Sequence, residues 1–312
     1  DTPQRQTYTE KACNILDPAV LVLVNPDYDN LECVTLVYDD YELSIEASRQ
    51  LHICKTRELI FRESHVTAAP VLQAPYSIMA TIPKSLLDSE PFRQLLEAME
   101  LRVCSRQRAQ PQDFQTCLTY TMVALVAPAW NKVGRYLCQG RDFLVANGVI
   151  PAVDWQILAT ETKTELTLCA VGIRLRHMTL VDLLRTSQIS QDTLVRLLEN
   201  EVAIEPMECF VLPSMDIATA ISVSFKLFPD CRFRRFKRLK RFWKKTYGYR
   251  LPDQTEPRMT YVKVRFRTRQ DRHYVYPILC VRPREAEPVA PINPDPIIGS
   301  FLQCVKLRMG QL

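Results

Sequence analysis

The sequence predicts an α+β fold of mixed, mainly antiparallel sheets with packed helices and no strict βαβ repeat. Three observations predict it. Short β-branched runs follow one another with only turn-like clusters between them, as hairpin strands do. Helical periodicity comes in separate blocks instead of alternating with each strand. No internal repeat or low-complexity tract imposes another order. With 312 residues, 47% hydrophobic and 24% charged, the chain can bury a sizeable core without staples. The expected division is an N-terminal lobe over 1–150 and a C-terminal lobe over 151–312 carrying a basic helix and a hairpin, or one continuous domain.

The elements follow in order. "AVLVLVN" (Ala19–Asn25) and "CVTLVY" (Cys33–Tyr38) read as strands split by the turn cluster "PDYDN". "YELSIEASRQLHICKTRELIF" reads as a helix and "YSIMATI" (Tyr76–Ile82) as a strand. The best-marked helix comes next. Ser89 suits an N-cap, Pro91 suits the first turn, and Phe92, Leu95, Leu96 and Met99 recur at i, i+3, i+4 and i+7. In "CLTYTMVALVA" (Cys117–Ala127) the alternation of Thr and Tyr with apolar residues predicts a central strand. "VDWQILATETKTELTLCAVGIRLR" predicts two strands around a polar turn at Glu161–Thr164, followed by two short helices, the second opened by Ser190. "CFVLP" predicts a short strand, and Ser214 is expected to cap a helix carrying Ile217, Ile221 and Phe225. "TYVKVRF" and "YVYPILCV" predict a hairpin, with Val262, Val264 and Phe266 on one face and Lys263, Arg265 and Arg267 on the other. A helix holding Ile298, Phe301, Leu302 and Val305 ends the chain.

Charge is the most uneven property of the chain. The net charge is +5, yet Arg232 to Arg284 holds 18 basic and 3 acidic residues, a local +15 that leaves −10 on the remainder. Within that region "CRFRRFKRLKRFWKKTYGYRL" places nine basic and no acidic residues among the fourteen from Arg232 to Lys245. On a helix Phe233, Phe236, Leu239, Trp243 and Tyr247 form one apolar stripe and read as buried anchors. Arg232, Arg234, Arg235, Lys237, Arg238, Lys240, Arg241, Lys244 and Lys245 fall largely off it, and with Lys263, Arg265 and Arg267 they are the candidate anion-binding residues. Like charges so dense repel one another. Such a face calls for nucleic acid, an acidic protein, anionic lipid, an import receptor or the chain's own acidic part, such as Asp27–Glu46.

A second candidate lies in "PAWNKVGRYLCQGRDF". Trp130, Asn131, Lys132, Arg135 and Arg141 surround glycine turns that could cradle an anion, or Trp130 anchors a core and Arg141 pairs locally with Asp142. Other chemistry finds no support. No phosphate-binding glycine motif, G-x-S-x-G, H-E-x-x-H or C-x-x-C occurs, and glycines number only 7. His52 and Cys54, the one close pair of metal-capable residues, point to different faces of a helix. Asp39–Asp40 reads as a solvated turn. No enzymatic activity, metal or cofactor is expected. The 11 cysteines, an odd number set mostly in apolar segments, predict free thiols in a reducing, intracellular compartment, the nucleus among them. The polar start predicts no signal peptide and no run predicts a membrane span.

Four stretches carry a resemblance: "LVAPAWNKVGRYLCQGRDFL" (Leu125–Leu144), "CFVLPSM" (Cys209–Met215), "YGYRLP" (Tyr247–Pro252) and "VYPILCVRP" (Val275–Pro283). In order and spacing the chain from about Tyr76 onward resembles an uncharacterised animal family named for an open reading frame on human chromosome 18, whose shared region is a domain of unknown function. That resemblance implies a folded region followed by a long lysine- and serine-rich tail, so that this chain would be a fragment or a short form. It implies no activity, and the dense basic run is not part of the shared pattern. The expected function is a non-enzymatic binding module with a basic C-terminal face for an anionic partner, nucleic acid first. The alternative is a protein–protein scaffold whose basic helix docks on an acidic protein surface.

Overall fold

The computed structural model describes residues 18–38, 45–71, 73–74, 76–186, 188–229, 231, 233–253, 259–267, 269–289 and 293–310. Three antiparallel sheets and the helices between them make an α+β fold. The first sheet runs β3 (Thr67–Pro70), β4 (Ser77–Pro83), β2 (Leu31–Val37), β5 (Arg102–Arg108). Its inner face presents Val34, Leu36, Ile78, Ala80 and Ile82; the short α2 (Lys84–Leu87) adds Leu87, and α3 (Glu90–Ala98) closes over them with Phe92 and Leu96. Ser89 caps α3 as expected, its Oγ accepting from Phe92 N at 3.4 Å. On the outer edge Arg106 binds both Glu32 and Asp88, and Arg108 meets Asp29 at 2.9 Å. The described acids of the Asp27–Glu46 stretch therefore serve β5 and local turns.

The second sheet is ordered β1 (Ala19–Leu23), β9 (Thr164–Arg174), β8 (Val149–Ala159), β7 (Tyr136–Gln139), β6 (Trp130–Val133), with β15 (Glu287–Val289) also on β9. Its strands come from both sides of residue 150. The β8–β9 hairpin turns around the polar residues that the sequence marks.

Between these two sheets lies α4 (Pro111–Val126), which corrects the expected central strand at Cys117–Ala127. The segment has two cores to face. Leu118, Met122 and Val126 pack toward β6, β8 and α8 (Pro294–Met309), while Ala124 packs toward the first sheet. Thr121 explains the misleading hydroxyl: its Oγ1 accepts from Ala68 N at 2.9 Å and donates to Ala68 O, so it ties the helix to β3. Pro111 at the first turn and the reciprocal capping of Gln110 and Asp113 start the helix.

The third sheet is ordered β13 (Arg269–Pro277), β12 (Tyr261–Phe266), β11 (Asp216–Ser224), β10 (Val202–Val211), β14 (Val281–Arg282). Here a second expectation is corrected, because Ile217, Ile221 and the residues between them form β11 and no helix. Ser214 Oγ instead donates to Asp216 at 2.6 Å inside the β10–β11 turn. Small buried Ala218 and Ala220 let α5 (Leu180–Leu184) and α6 (Gln191–Glu199) cover this sheet through Leu183 and Leu197. The hairpin of β12 and β13 forms as the sequence predicts. Among the described residues no helix is long and apolar enough to cross a membrane.

Candidate anion-binding cleft

The basic run folds into α7 (Phe236–Tyr247). Its apolar stripe is what holds it. Leu239 and Trp243 are sealed, and Trp243 stacks on Tyr249 at 5.7 Å and meets Tyr276 edge-on at 5.8 Å. Phe233 precedes the helix and packs on Phe242 with centroids 5.0 Å apart. The rings are thus spent on the core that joins the second and third sheets. Cys54 Sγ and Thr246 Oγ1, 3.5 Å apart, stitch α7 to α1 (Ile45–Arg62).

Along the line where α7 passes α1 lies a cleft of about 1020 Å³. The middle and last turns of α7 supply Lys240, Arg241, Lys244 and Lys245 to its wall. Arg250 joins from the segment after the helix and Arg141 from the loop after β7. Arg57 and Phe61 come from α1. One carboxylate lines the cleft, Glu58, and it is held by Arg62 at 2.6 Å. Of the lysines, Lys240 reaches Asp253 at 2.5 Å. The hydrogen bond from Lys240 and, after it, the charge of Arg250 hold the Asp253 carboxyl below the usual range. Among the described residues Arg57, Arg141, Arg241, Lys244 and Lys245 make no ion pair with a carboxylate.

Arg57 is the unusual member. It is 8% exposed, and Nη2 donates to the Ala124 carbonyl at 3.4 Å. Its guanidinium lies 5.5 Å from the Phe61 ring centroid. Burial pulls its pKa below the ordinary arginine value, opposed by Tyr120 and Cys54 nearby. A buried cation without a counterion is costly unless an anion arrives to share the site. Room for Arg57 depends on Gly248, the left-handed residue that ends α7 with φ 76°. A Cβ there would lie 2.5 Å from Ala127 Cβ and 3.2 Å from Arg57 Nη2.

The remaining sequence-predicted residues divide. Arg234, Arg235, Lys237 and Arg238 are exposed at the start of α7, away from the cleft lining. Arg232 lies outside the described residues. The hairpin does not extend the basic face as expected. Lys263 is 8% exposed, bonded to Glu201 at 2.9 Å and set over the Phe228 ring. Arg267 is paired with Glu208 at 2.5 Å, and Arg265 is exposed and does not line the cleft. The second segment also splits. Trp130 is buried edge-on against Phe301, and Asn131 donates to Pro128 O and Gly140 O, both at 2.9 Å, so both serve the β6–β7 hairpin. Arg135 binds Asp154, and Lys132 is exposed with its carbonyl accepting from Tyr249. Of these five candidate residues, Arg141 alone lines the cleft.

Arg57, Phe61 and Arg250 were missed by sequence reasoning. Their approach to α7 is tertiary, and the one local signal was the i, i+4 spacing of Arg57 and Phe61 on α1. His52 is buried and Cys54 faces Thr246, and among the described residues no group of three potential metal ligands converges.

Residues 19–290 match a family described as a domain of unknown function, DUF4708. The chain belongs to that family. Among solved structures, this DUF4708 chain is similar to the Argonaute of Marinitoga piezophila in complex with a 5′-hydroxyl guide RNA and target DNA. The identity is 6% and the TM-score 0.34, covering 94% of this chain and 35% of that one. At that TM-score the likeness carries no weight for fold or function, and this chain spans about a third of the Argonaute's length.

Proposed function

We propose that this chain is a non-enzymatic binding module that holds a polyanion in the cleft between α1 and α7, and that the polyanion is nucleic acid gripped through its phosphates. The observation that carries the reading is the convergence of Arg57, Arg141, Arg241, Lys244, Lys245 and Arg250 from separate segments on one cleft whose single carboxylate is already paired. Repulsion among them makes the empty cleft unfavourable, and a chain of phosphates relieves it. The lysines and arginines there suit phosphate oxygens, and contacts to the backbone alone carry no sequence information, so the proposed grip is independent of sequence. A reducing compartment, the nucleus included, fits the ten free described cysteines and this ligand. The animal family named for an open reading frame on human chromosome 18 is our finer proposal for where in DUF4708 the chain stands.

The test is a titration of labelled single- and double-stranded oligonucleotides at several salt concentrations. Log affinity should fall with log salt by about 0.9 per duplex phosphate contacted or about 0.7 on a single strand. Joint charge reversal at Arg141, Arg241 and Lys244 should abolish binding, while reversal at Arg234, Lys237 and Arg238, outside the cleft, should leave most of it. Binding weaker than about 10⁻⁴ M at low salt, or indifference to the cleft reversals, refutes the reading. Equal or better binding of polyglutamate replaces it with an acidic-protein scaffold.

A further inference from the structure

Phe61 stands where two clefts meet. It lines the α1–α7 cleft on one side. On the other it lines a second cleft, about 840 Å³, between the end of α1 and the end of α8, which carries Lys306 and Arg308. The ring is 54% exposed, although its neighbours Leu59 and Ile60 are buried at 0% and 3%. Exposed phenylalanines are common singly and by themselves mean little. This one has positive charge on both sides, and the buried Arg57 guanidinium lies 5.5 Å from its centroid. Neither Lys306 nor Arg308 has a carboxylate partner among the described residues.

Resting on the reading of the α1–α7 cleft as a phosphate site, we infer that the ligand is single-stranded nucleic acid, with a base stacked on Phe61. The phosphates on either side of that base then lie in the two basic clefts. The chemistry selects for an unpaired strand. A duplex can offer phosphates to Lys244 or Arg308, but its bases are already stacked on one another, and none can take the Phe61 ring without being unpaired. An unpaired strand offers both charge and π-face. Any base has such a face, so the site stays indifferent to sequence while preferring single strands.

The test compares the full chain with Phe61→Ala, Phe61→Leu and Phe61→Trp, against a single-stranded oligonucleotide and the duplex of the same length at one moderate salt concentration. The parent should prefer the single strand. Phe61→Ala and Phe61→Leu should each lose about five- to hundredfold in single-strand affinity, the range that loss of one aromatic–base stack gives. Phe61→Trp should restore it. Duplex affinity and the single-strand salt slope should not change, because no charge is altered. Melting temperatures of the three variants should stay near the parent's, since the side chain is half in water. Unchanged single-strand affinity in Phe61→Ala overturns the inference, as does an equal loss on both ligands or a parent that prefers duplex. In each of those cases the parent still binds, and the phosphate cleft stands. A parent that binds neither ligand overturns both readings.

Discussion

Gly248→Ala is the sharpest probe of the architecture around the cleft, because its cost can be built from geometry. Gly248 ends α7 in the left-handed region, φ 76°, with its N–H donating to Lys244 O at 3.0 Å. An alanine held in that region costs about 1–2 kcal/mol from its own backbone sterics. The new methyl would also stand 2.5 Å from Ala127 Cβ, where carbon pairs prefer about 3.5–4.0 Å, so something must yield by about 1 Å. Ala127 is 9% exposed at the end of α4, and overpacking of such a site costs about 1–3 kcal/mol. The single substitution should therefore destabilise by about 2–5 kcal/mol. Ala127→Gly removes the clashing methyl and leaves only the backbone cost. The double variant should be about 1–3 kcal/mol more stable than the sum of the two single effects. Urea unfolding at constant m-value measures all four corners of the cycle. A cost below about 1 kcal/mol for Gly248→Ala, or a coupling near zero, would refute the close approach of α7 to α4. The same methyl would crowd Arg57 Nη2 at 3.2 Å whether or not Ala127 is trimmed, so the single and the double variant should both lose anion affinity.

Three further outcomes are expected. Trp243→Ala, which empties the ring cluster under α7, should cost about 3–5 kcal/mol by denaturant unfolding, and a cost near zero would unseat the apolar stripe as the anchor. Thr121→Val keeps the shape of α4 but strips Ala68 N of its side-chain partner, and should cost about 1–3 kcal/mol in the same assay. Asp88 is held below its ordinary pKa of 3.8 by the hydrogen bond from Arg106. Its charged form therefore contributes stability above that value and loses it as pH falls through the lower, folded value. The midpoint gap between the parent and Asp88→Asn should be full near neutral pH and should close on acidification below 3.8, and a gap that widens there would reverse the sign of the argument.

Much of the fold was legible where a local signal and the tertiary demand agree. Ser89 caps α3 because the cap, the proline and the apolar spacing all say helix. The β8–β9 and β12–β13 hairpins announce themselves by alternation around polar turns. The failures came where two demands compete. α4 must satisfy a sheet on each side, so it is apolar over a wide arc, and Thr121 imitates a strand residue while bonding across to β3. β11 is rich in alanine and bears Ile217 and Ile221 at helical spacing, but neighbouring strands on both edges decide its state. The cleft was half legible. Its charges on α7 stand out in the composition, yet Lys263 shows that a basic residue of the same region can be buried and absorbed by an ion pair with Glu201. Arg57 shows the converse, a single arginine in an unremarkable helix that tertiary packing brings to the centre of the site.

The strand β9 has its outer edge covered in two instalments. β1 pairs with Thr164–Leu168, and β15 pairs with Gly172–Arg174. Asn25 meets Thr164 across 139 positions of sequence. A ribosome adding about 5–20 residues per second needs roughly 7–30 s to make that span. During that interval the valine-rich β1, with Val20 and Val22 facing outward even in the finished fold, has been synthesised but has no strand to join. The second sheet is therefore completed late and from both ends of the matched region, and the nascent chain's exposure to chaperones and to wrong strand pairing is set by elongation speed. Slowed translation between Asn25 and Thr164 should lower the soluble yield more than the same delay placed after Arg174.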